Sequence, residues 1–158
     1  MHMNKQFNEI EKIQIEIEKC KGCEDLPLPK PASIHASGFD LFAADVKSII
    51  VKKGEIKLIS TGIKIAIPIG YEAQIRPRSG LAFRNGITVL NSPGTIDSDY
   101  RGIIKIIIIN LGSDNFTINR GDRIAQMVIH KIYHPVLIET SKLNKTKRGE
   151  GGFGHTGI

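Results

Sequence analysis

Residues 91–105 read Asn-Ser-Pro-Gly-Thr-Ile-Asp-Ser-Asp-Tyr-Arg-Gly-Ile-Ile-Lys, and they lead from a sharp turn signal into a strongly apolar segment. Proline fixes φ and glycine tolerates positive φ, so Pro93 and Gly94 predict a turn. Residues 103–109 barely alternate in polarity, which predicts a strand buried on both faces. The intervening hairpin carries two carboxylates, a phenol and an arginine on a rigid scaffold, as functional loops often do. Taken alone, an ordinary solvated turn explains these residues equally well.

Short β segments separated by turn signals about every ten residues make up most of the chain, a spacing typical of sandwiches and barrels. One short helix is predicted at residues 79–85, with Ser79 as its N-cap and Gly86 as its end. Gly38 predicts a bulge or a close approach within a strand at residues 35–44. The pattern predicts an all-β fold, a sandwich or jelly roll of about ten strands. The other predicted strands are residues 13–17, 49–51, 56–60, 63–67, 71–76, 87–90, 116–118 and 124–132.

Length and composition indicate a single globular domain with a polar tail. The chain has 158 residues, of which 41% are hydrophobic and 24% are charged. We assign residues 1–140 to the β domain and residues 141–158, rich in Lys, Gly and Thr, to a flexible arm. No apolar run approaches the roughly 20 residues of a membrane helix. The first ten residues lack the apolar core of a signal peptide, so we expect a cytoplasmic protein without a membrane partner.

The net charge of +6 and the pI of about 9.4 favour anionic partners such as nucleotides. The lysines are scattered, with no run of five and no interleaved aromatic residues. A specific nucleic-acid partner is therefore not expected.

The two cysteines form a lone C-x-x-C motif at Cys20 and Cys23. This motif is compatible with half of a zinc site, with a redox pair, or with two ordinary reduced thiols in a loop. No second C-x-x-C exists and His35 lies outside zinc-finger spacing, which favours ordinary thiols. Residues 20–31 are longer or more irregular than the rest of the pattern suggests, and their role stays open.

Two further stretches are candidates for phosphate binding. Residues 76–80 place two arginines, a hydroxyl and backbone amides just before the predicted helix, where anions bind well. A capped helix with a surface arginine is the alternative. Residues 148–157 are rich in glycine but lack the Lys-Ser/Thr ending of a P-loop. A disordered tail is the usual explanation for such a terminus. The aromatic side chain of Phe153 favours the alternative, an arm that docks on another surface.

Five stretches, in this order and spacing, resemble the motifs of the trimeric deoxyuridine triphosphatase (dUTPase) family. The resemblance covers residue 13 to the C-terminus, and five motifs in register are a strong signal. The motifs are Ser-Gly-Phe-Asp-Leu at 37–41 with Ala43 and Ala44, Arg-Ser-Gly-Leu-Ala at 78–82, Gly-Thr-Ile-Asp-Ser-Asp-Tyr-Arg-Gly at 94–102, Arg-Ile-Ala-Gln at 123–126, and the glycine-rich residues 148–157.

This resemblance implies a jelly-roll homotrimer that hydrolyses dUTP to dUMP and pyrophosphate with Mg²⁺, by attack of water at the α-phosphorus. Such an enzyme keeps uracil out of DNA and supplies dUMP for dTMP synthesis. The three sites would lie between subunits, with exchanged C-terminal arms closing over them. Order on binding would exclude water and complete the phosphate contacts.

The resemblance also implies the roles of the residues nearest the reaction. Asp97 would be the general base that activates the water. Tyr100 would pack on the deoxyribose and leave no space for a 2′-OH. Asn91 and the backbone around Ile104 and Lys105 would pair with the uracil edge. The substrate-binding set also includes Thr95 and Ile96.

The remaining implied contacts concern the triphosphate and the metal. Phe153 would lie over the uracil, and Arg148 would reach the γ-phosphate. Asp40 would lie near the waters of a Mg²⁺ ion that arrives mostly on the triphosphate. The other phosphate contacts would come from Arg78, Ser79, Gly80 and Gln126.

Two alternatives stay open beside this one. A dCTP deaminase shares the fold and the triphosphate but uses a glutamate base, which the hairpin at Asp97 and Tyr100 does not provide. A non-catalytic nucleotide-binding or interaction protein of the same fold would lack the base or the arm. His155 departs from the serine usual in the fifth motif; either only its backbone matters, or its protonated ring adds a phosphate contact.

Overall fold

The computed structural model describes residues 12–152, and within them it is mostly β with one short helix, as predicted. No helix in this range is long and apolar enough to span a membrane. The elements are β1 Glu16–Lys19, β2 Phe39–Phe42, β3 Ile49–Val51, β4 Ile56–Ser60, β5 Ile63–Ala66, β6 Tyr71–Arg76, α1 Ser79–Asn85, β7 Ile87–Val89, β8 Gly94–Ile96, β9 Lys105–Asn110, β10 Phe116–Ile118 and β11 Arg123–Lys131.

All strand pairs are antiparallel, and two sheets carry most of the fold. One sheet has the order β2-β11-β6-β8, and the other has the order β4-β9-β7. Two smaller pairs, β1 with β5 and β3 with β10, complete the described strands. Because β11 lies between β2 and β6, Gln126 is opposite both Asp40 and Arg76. The larger sheet therefore brings three sequence-distant polar residues into one row.

Alternation along β9 divides its isoleucines between two environments. Ile106 and Ile108 are at most 1% exposed and lie in the core, whereas Ile107 and Ile109 are only half-buried. The predicted burial on both faces is therefore wrong for the single chain. The second face is nevertheless apolar, because Ile56 and Leu58 of β4 are opposite Ile109 and Ile107. We call this surface the outer apolar patch; it comprises Ile56, Leu58, Leu90, Ile107 and Ile109.

The C-terminal end of β9 is fixed by Asn110, which is fully buried yet makes all of its hydrogen bonds. Its Nδ2 donates to the carbonyls of Val51 and Asp114, each at 2.8 Å, and its Oδ1 accepts the Gly112 N–H at 2.9 Å. A buried amide without these partners would destabilise the fold. Asn110 therefore joins β9 to β3 and to the turn that follows.

The short helix differs from the prediction at its start and agrees with it at its end. Arg78, and not Ser79, is the N-cap residue, and it makes no side-chain capping bond. The prediction that Ser79 caps the helix is thus wrong, because Ser79 is already the first helical residue. Gly86 ends the helix at φ 65°, and its N–H bonds to Ala82. The predicted C-terminal glycine is confirmed.

The predicted strand at residues 35–44 is shorter in the structure, where β2 begins at Phe39. The expected close approach at Gly38 is confirmed. A Cβ atom at Gly38 would overlap the Oε1 atom of Gln126. Glycine at this position lets β11 carry a long polar side chain against the segment that leads into β2.

Residues 132–152 contain no helix or strand, and most of their side chains are exposed. Regular structure therefore ends at Lys131, before the boundary that we expected at residue 140, and the division into domain and arm stays a prediction. Large apolar side chains in this segment include Val136, Leu137 and Ile138, each at least 83% exposed. Phe153 and His155 lie outside the described residues.

The C-cap of α1 allows a test of close backbone packing. We expect Gly86→Ala to reduce the free energy of unfolding by at least about 2 kcal/mol, since it combines αL strain of roughly 1–2 kcal/mol with overpacking of roughly 1–3 kcal/mol. A Cβ atom there would overlap the backbone of Gly112. Gly54→Ala is the matched control, because Gly54 has φ +75° and no atom within 4 Å of its added Cβ. Urea unfolding at one protein concentration measures both variants, and equal losses would contradict the prediction.

Candidate active site

Residues 97–104 form the loop between β8 and β9; we keep the name hairpin for it, although the two strands lie in different sheets and do not pair with each other. The N–H of Tyr100 donates to the Asp97 carbonyl at 3.1 Å, which closes a turn. The Arg101 guanidinium donates to the carbonyls of Ser98 at 2.7 Å and Tyr100 at 2.8 Å. Asp97 is exposed, and within residues 12–152 its carboxylate has no hydrogen bond or ion pair. Arg101 thus stabilises the loop while Asp97 faces solvent.

Tyr100 lies over Gly102. A Cβ at Gly102 would overlap the phenol oxygen and the ring of Tyr100. The Tyr100 hydroxyl donates to the carbonyl of Ile103 at 3.2 Å. The side chain is thereby folded across its own hairpin, yet the residue remains 44% exposed and can present its ring to a ligand.

Ile104 anchors the hairpin in the body of the protein. Its side chain is fully buried, and its N–H donates to the Ile63 carbonyl at 2.9 Å. Its carbonyl accepts the N–H of Thr61 at 3.1 Å and the Thr61 hydroxyl at 2.7 Å. A contact from the Ile104 backbone to a ligand would require these bonds to change. Lys105, the next residue, is exposed.

The remaining predicted residues lie in the segment that precedes the hairpin, residues 91–96, part of which pairs with β6. Asn91 is exposed, and its amide nitrogen would lie 3.1 Å from a Cβ at Gly94. Ser92 and Pro93 are joined by a cis peptide bond. Thr95 and Ile96 are opposite Gln74 and Ala73 in the antiparallel pair of β8 with β6. Arg78 follows β6 by two residues, so β8, which leads into the hairpin, pairs with the strand that leads to the cationic segment.

Asp40 joins two arginines from different parts of the chain. Arg78 donates from Nε to Asp40 Oδ1 at 2.9 Å, and Arg123 donates to Oδ2 at 3.2 Å. A second nitrogen of Arg78 donates to the backbone carbonyl of Arg123 at 3.1 Å. The Asp40 side chain is 18% exposed. Charge-assisted bonds in this partly buried setting hold a cluster with a net charge of one positive unit.

Arg123 is a functional candidate that the residue-by-residue prediction missed. It belongs to the fourth motif, so its sequence position could have singled it out, but its contact with Asp40 depends on the pairing of β11 with β2. Beside Arg78 and Arg123 lies an open groove of about 300 Å³. The groove is wide enough for a small ligand and has arginine side chains on its wall.

Gln126, in the fourth motif, contacts the first motif and the residue that precedes the second. Its Nε2 donates to the Pro77 carbonyl at 2.9 Å, and its Oε1 lies against Gly38. One amide hydrogen is therefore used to hold the turn that precedes Arg78. Ser79 and Gly80 occupy the first turn of α1, where Ser79 is exposed.

Among the described residues of the arm, 141–152, Arg148 has no hydrogen bond or ion pair with this cluster. Arg148 is exposed, and its Nε donates to the Gly151 carbonyl at 2.8 Å within its own turn. Phe153 lies beyond the described residues, so its position is untested. Within residues 12–152, no group of three or more His, Cys, Asp and Glu side chains is placed to hold a metal ion.

Comparisons with known proteins agree with the five motifs. The dUTPase family model matches residues 24–157. Deoxyuridine 5'-triphosphate nucleotidohydrolase of Thermoanaerobacter sp. (strain X514) is 58% identical over 146 residues, which cover 92% of this chain and 99% of the relative. The protein of that name from Rickettsia felis is 55% identical over 145 residues, covering 92% and 97% of the two chains.

Solved structures share the fold. The Staphylococcus bacteriophage 80alpha dUTPase with dUPNHPP has a TM-score of 0.83 at 23% identity, covering 93% of this chain and all of that one. A dUTPase from phage phi11 of S. aureus, with a structural Mg(II) ion, has a TM-score of 0.72 at 23% identity, covering 82% and 98%. The family match spans most of the chain, and the relatives exceed half identity over nearly their whole length. This chain belongs to the dUTPase family.

Proposed function

We propose that this chain is a dUTP diphosphatase, which hydrolyses dUTP to dUMP and pyrophosphate. The observation that carries this proposal is the hairpin at residues 97–104, which presents an unpaired carboxylate and a half-exposed phenol ring from a buried root. Relatives at 53–60% identity named deoxyuridine 5'-triphosphate nucleotidohydrolase support it. The product dUMP would feed dTMP synthesis, and removal of dUTP would keep uracil out of DNA. The proposed location is the cytoplasm.

Asp97 is the proposed general base. Its carboxylate is exposed and makes no bond to residues 12–152, so both of its oxygens can accept hydrogen bonds from water. It would orient one water molecule and take its proton as the water attacks the α-phosphorus. Pyrophosphate would then leave as a unit.

Tyr100 and the hairpin backbone are the proposed determinants of specificity. The Tyr100 ring, held over Gly102, would pack on the deoxyribose where a 2′-OH has no space. Asn91, Thr95 and Ile96 lie on the same approach and would complete the pocket. We assign the uracil contacts to Asn91 and the backbone at Lys105, with Ile104 as their fixed neighbour. An unsatisfied buried polar group costs about 1–3 kcal/mol, so a rigid edge would reject cytosine.

The triphosphate would bind at the cationic segment. Arg78 is held by Asp40 and can still direct guanidinium N–H groups at phosphate oxygens. Ser79, Gly80 and Gln126 supply neighbouring polar groups, and we add Arg123 to this set. Repulsion between Arg78 and Arg123 is offset by Asp40, which keeps both cations in place before the substrate arrives.

The residues present fit a Mg²⁺ ion that is bound mainly by the triphosphate. Mg²⁺ typically keeps several waters and is held by phosphates and one or two carboxylates. Both oxygens of Asp40 accept bonds from arginines, so Asp40 would reach the ion only through water, as the family resemblance implies. When bound, Mg²⁺ would supply neutralisation of the phosphate charge.

A jelly-roll homotrimer is the proposed assembly. The outer apolar patch would be covered by a second copy of the chain, since exposed apolar patches of this kind mark interfaces. The apolar side chains at residues 136–138 would dock the arm on a neighbour, so that Arg148 and Phe153 reach a site built by other subunits. With +6 per chain, the trimer would carry about +18 and attract a polyanionic nucleotide.

Product analysis tests the activity. We expect pyrophosphate and dUMP from dUTP in the presence of Mg²⁺, with much slower turnover of dCTP, dTTP and UTP. The rejection of dCTP and dTTP follows from the base edge, and that of UTP from the sugar contact. Chromatography of products with parallel pyrophosphate and ammonia assays decides among the alternatives. Ammonia from dCTP would favour the deaminase, and dUTP binding without any product would favour the non-catalytic protein.

Substitution of the proposed base tests the mechanism. Asp97→Asn keeps the size of the side chain but cannot take a proton, so we expect kcat to fall by roughly 10²–10⁴-fold. Binding of dUTP, followed by calorimetry, should persist. Asp99→Asn is the matched control two residues away, and it should retain kcat within about tenfold. Near-normal kcat in Asp97→Asn would remove Asp97 as the base.

Mixed trimers test the exchange of arms. A chain that lacks residues 147–158 and the full chain with Asp97→Asn should each be nearly inactive. When they are unfolded together and refolded at equal amounts, about a quarter of the sites would combine Asp97 of the first chain with an arm of the second. We therefore expect turnover to reappear on mixing. Mixtures that trimerise but stay inactive would show that each arm serves its own subunit.

A further inference from the structure

The C-x-x-C motif is folded into a tight turn. The N–H of Cys23 donates to the carbonyl of Cys20 at 3.0 Å. Gly22, the third residue of this turn, has φ +81°, the conformation that a type II turn requires. The ends of such a turn lie within about 7 Å of each other between Cα atoms, and disulfides form at about 4.4–6.8 Å. The backbone thus holds the two cysteines at a spacing compatible with a bond between them.

The two thiols differ in access to solvent. Both cysteines are free; Cys20 is half-buried and Cys23 is buried. Cys23 packs in a small apolar cluster with Leu26 and Ala44, and a Cβ at Gly62 would lie 2.5 Å from its Sγ. An external reagent would therefore reach Cys20 first, because Cys23 is buried next to it in the same turn.

Arg120 is hydrogen-bonded to the turn that carries the two cysteines. Arg120 donates to both oxygens of Asp25 and to the Gly22 carbonyl at 2.7 Å. The Asp25 hydrogen bond is the main cause that raises the pKa of Arg120. The pKa of Lys64 is raised chiefly by Glu18, with a smaller contribution from Cys20. Arg120 and Asp25 therefore hold the backbone of the cysteine turn in place.

A metal site is the weaker explanation of this pair. Zinc would need two more ligands at the turn. No cluster of three or more ligating side chains occurs in the part of the chain that the structure describes, and both oxygens of the nearby Asp25 are used by Arg120. The geometry favours chemistry between the two sulfurs.

We propose that Cys20 and Cys23 form a reversible dithiol–disulfide site that reacts with a small-molecule disulfide such as oxidised glutathione. The Cys20 thiolate attacks one sulfur of the reagent, its S–S bond breaks, and one glutathione thiolate leaves. The Cys23 thiolate then attacks the Cys20 sulfur and releases the second glutathione. The protein loses two electrons and two protons, and the reagent is reduced to two thiols.

Two adjacent residues, Thr61 and Gly62, connect the cysteine pair to the hairpin. Gly62, against which Cys23 packs, follows Thr61, and Thr61 holds the carbonyl of Ile104. A disulfide would draw the Cys23 sulfur towards Cys20 and change its packing on Gly62. Oxidation is therefore expected to lower turnover by a few-fold, a consequence that rests on the proposed function.

Intact mass and thiol labelling of the full chain test the site itself. After incubation of the reduced protein with oxidised glutathione, we expect a loss of about 2 Da, located in the peptide that contains residues 20–23 and reversed by dithiothreitol. Neither thiol should then react with iodoacetamide. Persistence of both free thiols, or disulfides only between chains, would overturn the proposal.

Single substitutions test the order of attack. Cys23→Ser should accumulate a stable glutathione adduct on Cys20, because the second thiol is missing. Cys20→Ser should form an adduct at least about tenfold more slowly, because Cys23 is buried. Equal rates in the two variants would overturn the assigned roles. Turnover is measured for the reduced and the oxidised wild type, with the Cys20→Ser, Cys23→Ser double variant as the control. An inactive reduced enzyme would refute the proposed function. The mass measurement would still decide whether the disulfide forms.

Discussion

Both faces of strand β9 are apolar, and the rest of the structure is arranged around that constraint. Its inner side chains, Ile106 and Ile108, need a core on one side. Ile107 and Ile109 need cover on the other, which a single chain supplies only in part. Hydrophobic burial contributes about 25 cal/mol per Å² of apolar surface, so a covered outer face is strongly favoured. In the proposed trimer, the same isoleucine run that builds the core would therefore also form part of an interface.

The hairpin is fixed at its C-terminal end, next to β9, by backbone hydrogen bonds. Ile104 lies one residue before β9, and its backbone is bonded to Thr61 and Ile63 on a neighbouring segment. A loop with such a root loses little further freedom when a ligand binds. Asp40 fixes the two cations in a comparable way, because its ion pairs hold Arg78 and Arg123 together in the absence of a ligand. Base and phosphate contacts would then be preorganised by two independent devices, one of backbone bonds and one of charge.

The sequence predicted the local features of the fold better than the long-range ones. Alternation located most strands, and glycine chemistry placed the end of α1 at Gly86. The N-cap was misassigned because Arg78 is drawn to Asp40, 38 positions away in the chain, and local propensity contains no information on such a contact. The engaged backbone of Ile104 and the role of Arg123 also depend on which strands pair. The site residues were selected by resemblance to family motifs, and the structure shows which other residues each of them contacts.

The residues that follow β11 combine two compositions that would suit two successive tasks. Residues 136–138 are apolar and exposed, whereas the segment from residue 148 is dominated by glycine. Ordering a flexible residue costs roughly 1–2 kcal/mol, so a glycine-rich tail that closed over a ligand alone would bind weakly. Under the proposed exchange, the apolar segment would already be fixed on a neighbour, so that closing the predicted arm over the substrate would cost less free energy. Closure would then depend on the nucleotide and would reverse when the products leave, because the ordering cost is kept small enough for contacts such as that of Arg148 to offset it.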